Sequence, residues 1–507
     1  MFKKIVIVSS AMLSIERPPA SLAFLAGVCE YNQIDYEIFD FNLFLLEKFG
    51  YERWKNIGNM FSTVETITGD DKDLLREIDE VVTLGIIDNV LVHAPDLVAV
   101  SSFSHLQIPW TDKFLEILKK HSDVNVIAGG PGISYEQQPN KTAGKILLQK
   151  GLLDYYVLGE GEYSFDNFLK GKIDLGVNSK VNLTENWVPQ IDDLNLLSIL
   201  PTYKKIKLEH YESTHYNKKS VLTINGSRGC VRRCTFCDVG HLWKKFRFRS
   251  ADNIIKEIVK NYHETGCLNY MFSDSLINGS LKQFTELMQG IVALQEKYAE
   301  FKNFSYSGQF IIRPKEHHPE KLFKLMQESG CDNLQIGVES GSQRVREHMG
   351  KKFSNEDIDY HFEMCEKYEI KNLVLMFVSY PTETLEDYQE TIDFYIKNQK
   401  YLLNNTIMGA NFGSPMIILK NTPIDSMKEK LGIEIHDDEY YNVSNWSVSS
   451  NPDLTLKERW RRYIHLIQLL TELRYPNLAF DEAILQYNLE LLKQTLKKGT
   501  KENEFRN

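Results

Sequence analysis

Short β-branched runs alternate with helical stretches over the first third of the chain. Lys3–Val8 (KKIVIV) reads as a buried strand, being a short apolar run closed off by turn residues. A loop with Pro18 and Pro19 follows, then an apolar helical segment, Ala20–Tyr31. Further strands are expected at Tyr36–Asp40, at Leu97–Ser101 after Pro95, at Val124–Ala128 after a helix Thr111–Lys120, and at Tyr155–Leu158. Strands separated by helices predict a doubly wound parallel sheet. Ligands of such sheets sit beyond the carboxyl ends of the strands. Gly129, Gly130, Gly159 and Gly161 fall at those ends. Turn chemistry explains any one of them equally well, but their joint placement marks a ligand edge.

Residues 171–215 are polar and poorly periodic and read as a linker or irregular wrap. A second β/α series then begins, with strands expected at Val221–Ile224, Leu268–Phe272, Phe304–Gln309, Asn333–Val338, Asn372–Val378 and about Met408–Ile418. Between them lie helices such as Asp252–Tyr262, whose Ile254, Ile255, Ile258, Val259 and Tyr262 keep one face. Ser354 with Asp357, and Thr384 with Asp387, have the spacing of capping boxes. Such units make a partial (β/α)6 barrel, whose post-strand loops carry chemistry. The expected fold is therefore α/β: a Rossmann-like domain over 1–170, a linker over 171–215, a TIM-like barrel over 216–430 and a helical region over 431–507. Within the last, Leu456–Arg474 and Phe480–Lys498 read as amphipathic helices, and Trp446, Trp460 and Tyr463 read as packing residues or a pocket wall.

Composition narrows the function classes. The 507 residues are 42% hydrophobic and 25% charged, with a formal net charge of -10. That balance argues against broad polyanion binding, since neutralising phosphates needs a basic surface, and no nucleic-acid partner is expected. One basic run interleaved with aromatics, Lys244, Lys245, Phe246, Arg247, Phe248 and Arg249, reads as a solvated edge or a contact for an anionic small molecule. The apolar run after Met1–Lys4 is too short for a signal sequence. Nothing approaches the roughly 18 to 20 apolar residues of a membrane span. The expected location is the cytoplasm, with no membrane contact. Three of the 7 cysteines crowd into one short segment, which in a reducing compartment suggests metal rather than a disulfide.

That segment, Gly226-Ser-Arg-Gly-Cys-Val-Arg-Arg-Cys-Thr-Phe-Cys237, directly follows the first strand of the second series. Cys230, Cys234 and Cys237, at C-x3-C-x2-C, can turn three sulfurs to one side of a short loop. Zinc would want a fourth ligand, which His241 could supply; Cys29, Cys267, Cys331 and Cys365 are scattered singly and read as core residues. An iron–sulfur cluster with three protein ligands and one open iron fits the spacing better. The motif, with Phe236 in the aromatic position before the last cysteine, resembles the radical S-adenosylmethionine (SAM) superfamily. The resemblance implies a [4Fe–4S] cluster whose fourth iron is chelated by SAM, and reductive cleavage of SAM to a 5′-deoxyadenosyl radical. It extends to Ser273-Asp274-Ser275, where similar enzymes bind the SAM amino group, although the usual Gly-Gly-Glu is absent and Asp274 serves equally well as a cap or a supporting partner. It also covers Gly337-Val-Glu-Ser-Gly341, whose Glu339 and Ser340 correspond to SAM-facing residues. Lys351 resembles a cation that pairs with the SAM carboxylate, or is a surface lysine; Arg313 is a second candidate cation, or structural. Tyr380-Pro-Thr-Glu-Thr384 matches a loop that approaches the adenine.

A doubly wound domain before such a barrel resembles the cobalamin-binding branch of the superfamily, the class B methyltransferases. Arg17-Pro-Pro-Ala-Ser-Leu-Ala-Phe-Leu-Ala26, Ser101-Ser102-Phe-Ser-His105, Ile127-Ala-Gly129-Gly130-Pro131 and Leu158-Gly159-Glu160-Gly161-Glu162 carry this likeness. It implies cobalamin on the strand ends, with Ser101, Ser102, Gly129, Gly130, Gly159, Glu160 and Gly161 as its contacts. The Asp-x-His-x-x-Gly motif that supplies an axial histidine is missing: the first strand runs into Ser9-Ser-Ala-Met-Leu-Ser14, and His105 reads as a loop histidine. The activity implied is methylation of an unactivated carbon of a small-molecule substrate, with electrons from a donor such as flavodoxin or ferredoxin. A radical rearrangement, cyclisation or oxidation without functional cobalamin is the alternative, and a non-catalytic iron–sulfur redox sensor a third reading.

Overall fold

A computed structural model describes residues 2–11, 15–62, 72–172, 176–181, 185–188, 190–196, 199–213, 218–411, 415–436 and 442–475. The chain divides into two compact units, residues 1–224 with 253–269, and residues 225–252 with 270–507.

In the first unit, β1 (Lys4–Ser9), β2 (Asp35–Asp40), β3 (Leu97–Ser101), β4 (Asn125–Gly129) and β5 (Tyr155–Val157) lie in the order β2-β1-β3-β4-β5, all parallel. Ile5–Val8 and Leu97–Val100 are buried without alternation, as strands covered by helices on both faces must be. Helix α1 (Ala20–Tyr31) and helix α2 (Ile108–His121) supply part of that cover. In α2 the buried Trp110, Thr111, Phe114, Leu115, Ile117 and Leu118 recur at helical spacing. Chain order reverses between β1 and β3, so their carboxyl ends form the topological switch point.

The segment 171–215 is more ordered than a linker. Val177–Ser179 forms β6, which pairs antiparallel with β5 and ends the sheet. Asn178 is fully buried there, and its amide donates to the carbonyls of Tyr156 and Asn186. Tyr203 and Tyr211 are buried as well. A three-residue edge strand has too little alternation to be read from the sequence.

The second sheet runs in chain order: β7 (Leu222–Ile224), β8 (Asn269–Phe272), β9 (Ser305–Phe310), β10 (Cys331–Glu339), β11 (Lys371–Met376) and β12 (Ile407–Asn411). The ladders from β9 to β12 are parallel. Crossover helices include α3 (Ala251–Thr265), α4 (Asn355–Lys367) and α5 (Leu385–Leu403). Sequential strands with intervening helices make the expected partial barrel. Both expected capping boxes form, at Ser354/Asp357 and Thr384/Asp387.

The last expected strand, Met408–Ile418, is not continuous. Ile418–Leu419 leaves the sheet and pairs antiparallel with Asn442–Val443; Pro415 interrupts the run, lacking an N–H for a ladder. The C-terminal region opens on a second antiparallel ribbon, Ile433–Ile435 with Trp446–Val448, before helix α6 (Leu456–Glu472). The expected helix Phe480–Lys498 lies outside the described residues. Trp446, Trp460 and Tyr463 are buried, and the Arg459 guanidinium lies 3.9 Å from the centre of the Trp446 ring. Among the described residues no helix is long and apolar enough to cross a membrane.

Candidate active site

The three-cysteine loop leaves the end of β7 and is closed at its base by a short antiparallel ribbon, Ser227–Arg228 with Arg247–Phe248. Gly229 turns it with φ +85°, and a Cβ there would lie 2.6 Å from the Lys245 carbonyl oxygen, so this turn admits only glycine. The loop rests on the end of the helical turn after β10: Thr235 N–H donates to Met349 O at 3.0 Å, and the Thr235 and Tyr380 hydroxyls are 2.9 Å apart. Cys230, Cys234 and Cys237 are all partly exposed, free thiols. Burial pushes the three thiols up, Cys237 to about 12, while Lys351, Arg232 and Arg233 pull Cys230 back down. Among the described residues no three His, Cys, Asp or Glu side chains gather on one point as a single metal ion needs. This is no obstacle to a polynuclear cluster, in which each thiolate takes a different iron.

The expected SAM-facing pair is assembled beside this loop. Lys351 Nζ donates to Glu339 Oε1 and to Gly337 O, both at 2.9 Å. Each side chain of the pair is only 13% exposed, so Lys351 is not a surface lysine. Two backbone features aim the pair. The β10–β11 register shifts between Gly337 and Glu339, and Glu339 adopts φ +70°. A bulge followed by a left-handed non-glycine residue re-aims a side chain at the end of a strand. Gly337 makes room: a Cβ there would lie 2.3 Å from Glu339 Oε1 and 2.9 Å from Lys351 Nζ. Burial alone would lower the Lys351 pKa, but the charge and the hydrogen bond of Glu339 lead the influences that outweigh it, so the ammonium stays charged. Lys351 Nζ also lies 5.8 Å from the Phe236 ring centre, and Phe236 stacks edge-on against Phe377 at 5.0 Å.

Other expected residues take supporting places. Asp274 is buried and accepts the Gly226 N–H at 2.7 Å, gripping the chain just ahead of Cys230. Burial pushes its carboxyl up to about 6 against hydrogen bonds from Ser227 and Gly226 and the charge of Arg249. Ser273 Oγ lies 3.4 Å from Asn225 Nδ2. Arg313 donates to the carbonyls of Asn278 and Gly279 at 2.9 and 3.0 Å; burial, then the charge of Arg232, lowers its pKa. Ser340 is buried and turns toward α5, its Oγ 3.5 Å from Thr391 Oγ1. The basic run is not one solvated edge, because Arg247 and Arg249 are buried. Arg249 Nη1 donates to Asn225 O at 3.0 Å.

Two contributors were not expected. Arg346, fully buried, donates from Nη1 to the carbonyls of Ser340 and Gly341, both at 2.8 Å, and so holds the turn after Glu339. Glu383 is buried against Arg462 of α6 at 2.9 Å and accepts the Ser379 N–H at 3.0 Å. Burial raises its carboxyl to about 7 in spite of Arg462. The Glu383–Arg462 contact joins residues 79 apart, so no local pattern betrays it, whereas Arg346 lies only five and six residues beyond its acceptors and no motif marks it.

In the first unit, the ends of β1, β3, β4 and β5 bring together most of the other expected residues. Ser10 N–H donates to Ser101 O at 2.9 Å, and Ser102 N–H to Gly129 O at 3.0 Å. Gly130 has φ +103°, and a Cβ there would lie 2.4 Å from the Ser102 carbonyl oxygen. Gly159, at φ +93°, donates its N–H to Ser134 Oγ at 3.1 Å. Glu160 is buried and accepts the Ile191 N–H at 3.3 Å. A Cβ on Gly161 would meet nothing within 4 Å. His105 stacks on Tyr135 at 4.7 Å in the loop after β3. Phe103 and Leu106 of the same loop are exposed.

Residues 224–395 match the family model described as the Radical SAM superfamily. The chain carries a radical SAM domain. That domain's cofactors are a [4Fe–4S] cluster and SAM. Curated relatives include an uncharacterized methyltransferase of Pyrococcus horikoshii, 26% identical over 54% of this chain and 58% of its own length. Another is the cytidylyl-2-hydroxyethylphosphonate methyltransferase of Streptomyces wedmorensis, 25% identical over 61% of this chain and 62% of its own. The chain thus spans less than two-thirds of these relatives. In fold it is similar to the radical SAM methyltransferase TsrM from Kitasatospora setae, solved with tryptophan and a SAM analogue (TM-score 0.63, 15% identity, 92% of this chain and 89% of that one). It is also similar to the cobalamin-dependent radical SAM enzyme OxsB (TM-score 0.64, 16% identity, 89% of this chain and 65% of that one). At these identities the likeness concerns the fold: a Rossmann-like unit followed by the radical SAM barrel.

Proposed function

We propose that this chain is a cobalamin-dependent radical SAM methyltransferase acting on an unactivated carbon of a small molecule. The observation that carries the enzyme reading is the buried Lys351–Glu339 pair beside the three thiols, aimed by a bulge and a left-handed backbone. An iron–sulfur protein that only senses redox state has no use for such a pair. In this reading Cys230, Cys234 and Cys237 would hold a cluster by three of its irons, leaving one open to SAM. Bound together, cluster and SAM supply one-electron cleavage of the sulfonium C–S bond. Lys351 and Glu339 offer SAM a cation and an acceptor, Phe236 lines the site, and Asp274 and Arg346 position the two loops.

Cobalamin is supported by the edge of the first sheet. Ser9 Oγ, at the switch point, is buried with no hydrogen-bond partner among the described residues. Phe103 and Leu106 expose apolar surface at the same strand ends. A buried polar atom beside exposed apolar side chains suits a large, partly apolar ring. The missing Asp-x-His-x-x-Gly motif favours the second reading, radical chemistry without functional cobalamin. Anaerobically reconstituted protein should cleave SAM to 5′-deoxyadenosine, and Cys234→Ala should lose both cluster and cleavage; full retention would sink the assignment of the three cysteines. Hydroxocobalamin added before gel filtration should co-elute by its corrin absorbance. Loss of the corrin would favour the second reading.

A further inference from the structure

Gln107, in the helical turn after β3, is fully buried, and its side-chain amide is fully used. Nε2 donates to the Ser10 and Ala11 carbonyls at 2.8 and 2.9 Å. Oε1 accepts the N–H groups of Phe103 and Ser104 at 2.6 and 3.2 Å. One side chain thus holds four backbone groups, two from the loop after β3 and two from the loop after β1, the latter 97 and 96 residues away. The partners fix the orientation of the amide, since carbonyls only accept and N–H groups only donate. The Ser10 and Thr111 hydroxyls, 2.8 Å apart, and the bond from Thr111 Oγ1 to Gln107 O at 2.9 Å close the network. The Gly132 N–H donates to Ser102 O at 2.9 Å, which ties the loop after β4 to the same body.

This clamp sits where the first sheet offers a ligand. Ser9, whose buried hydroxyl has no hydrogen-bond partner among the described residues, immediately precedes Ser10. Phe103, 64% exposed, and Leu106, 46% exposed, stand on the stretch of backbone that Gln107 holds. Untied loops would have to be ordered by the ligand, at a cost in affinity. A fully satisfied buried amide removes that cost beforehand. An apolar residue would fill the same volume; the amide is needed because four backbone groups must be held at once. Resting on the reading that cobalamin binds at this edge, we propose that Gln107 is the positioning residue of that site. It is buried away from the ligand, and it sets the spacing of the loops after β1 and β3 so that the corrin meets a preformed crevice.

The test titrates full-length, reconstituted protein with hydroxocobalamin and reads the corrin absorbance. In Gln107→Glu a carboxylate oxygen would face the Ser10 and Ala11 carbonyls with no proton to give. In Gln107→Met all four bonds go while most of the volume stays. Both variants should bind the corrin at least tenfold more weakly than wild type, with the iron content of the second unit unchanged. Ile78→Val opens a small gap in the core of the first unit; it should lower the urea midpoint yet leave the corrin affinity within twofold. Wild-type affinity in both Gln107 variants, or an equal loss in Ile78→Val, would overturn the assignment. Hydrogen exchange of the wild type supplies a check that needs no variant to fold. Hydroxocobalamin should add protection to peptides covering 9–11 and 101–107 together, and protection of only one, or of neither, would refute a shared clamp. Wild-type protein that retains no corrin would overturn the cobalamin reading itself, and the role of Gln107 with it.

Discussion

Glu339 holds a backbone conformation that a side chain rarely adopts, at a cost of about 1–3 kcal/mol. The return is a carboxylate set against Lys351 at 2.9 Å, in a space that Gly337 leaves open. Removing one partner leaves the other charge poorly solvated, which costs more than the pair is worth. Lys351→Met should therefore weaken SAM binding at least tenfold while iron content stays near the wild-type value, as equilibrium dialysis and iron analysis of reconstituted protein would show. Asp274 should behave in the opposite sense. It grips the Gly226 N–H ahead of Cys230, a bond that an amide oxygen can still accept. Asp274→Asn should load iron almost fully, whereas Asp274→Ala should load less than half; equal loading of both would remove its assigned task. Of this site the thiols were legible in the sequence, because their spacing is local. The left-handed turn at Glu339 was not, because only the strand register creates it.

At the scale of elements, the crossover helices are opened by side chains visible in the sequence. Ser354 caps α4, with Asp357 reaching back to the Ser354 N–H at 2.8 Å. Ser354→Ala should cost about 1 kcal/mol, read as a lower urea midpoint. Helix α6 is fastened differently. Arg462, 4% exposed, pairs with Glu383, 1% exposed, across 79 residues of sequence. Breaking a buried pair from one side typically costs about 3–5 kcal/mol, so Arg462→Met should lower the thermal midpoint far more than Ser354→Ala. The Glu383 carboxyl, already raised to about 7, should then be protonated at neutral pH. A midpoint unchanged by Arg462→Met would mean that α6 contributes little to the fold.

For the whole molecule, pH dependence combines groups of opposite sign. His361 is buried, its Nε2 facing Asn372 Oδ1 at 2.9 Å. The Asn372 amide nitrogen lies 3.2 Å from each of two carbonyl oxygens, so its oxygen is the acceptor and Nε2 carries the proton. Burial lowers the His361 pKa to about 4 from 6.5. Between those values the unfolded chain binds more protons, so the stability this ring contributes is complete above pH 6.5 and lost as pH falls toward 4. Glu383 runs the other way, because its raised pKa makes the folded state take up protons as pH drops below 7. The clean readout is thus a difference: the gap between wild type and His361→Gln should narrow by about 2 kcal/mol from pH 7 to pH 5, measured by urea unfolding. A gap independent of pH would refute the depressed pKa.

What the sequence determined by itself is what lies within a few residues of chain. Such features are the strand and helix periods of two β/α series, the capping boxes, and the C-x3-C-x2-C spacing with its aromatic before the last cysteine. Each depends on backbone geometry and nearest neighbours, which local sequence dictates. The tertiary structure alone decided which groups meet across long separations. It drew Lys351 out of solvent onto Glu339, turned Asp274 to the root of the cysteine loop, buried two arginines of a run that read as surface, and made an edge strand within an apparent linker. Burial and pairing of charge are properties of the folded volume, where a group's partners come from strands and helices distant in the chain, so no reading of local pattern could supply them.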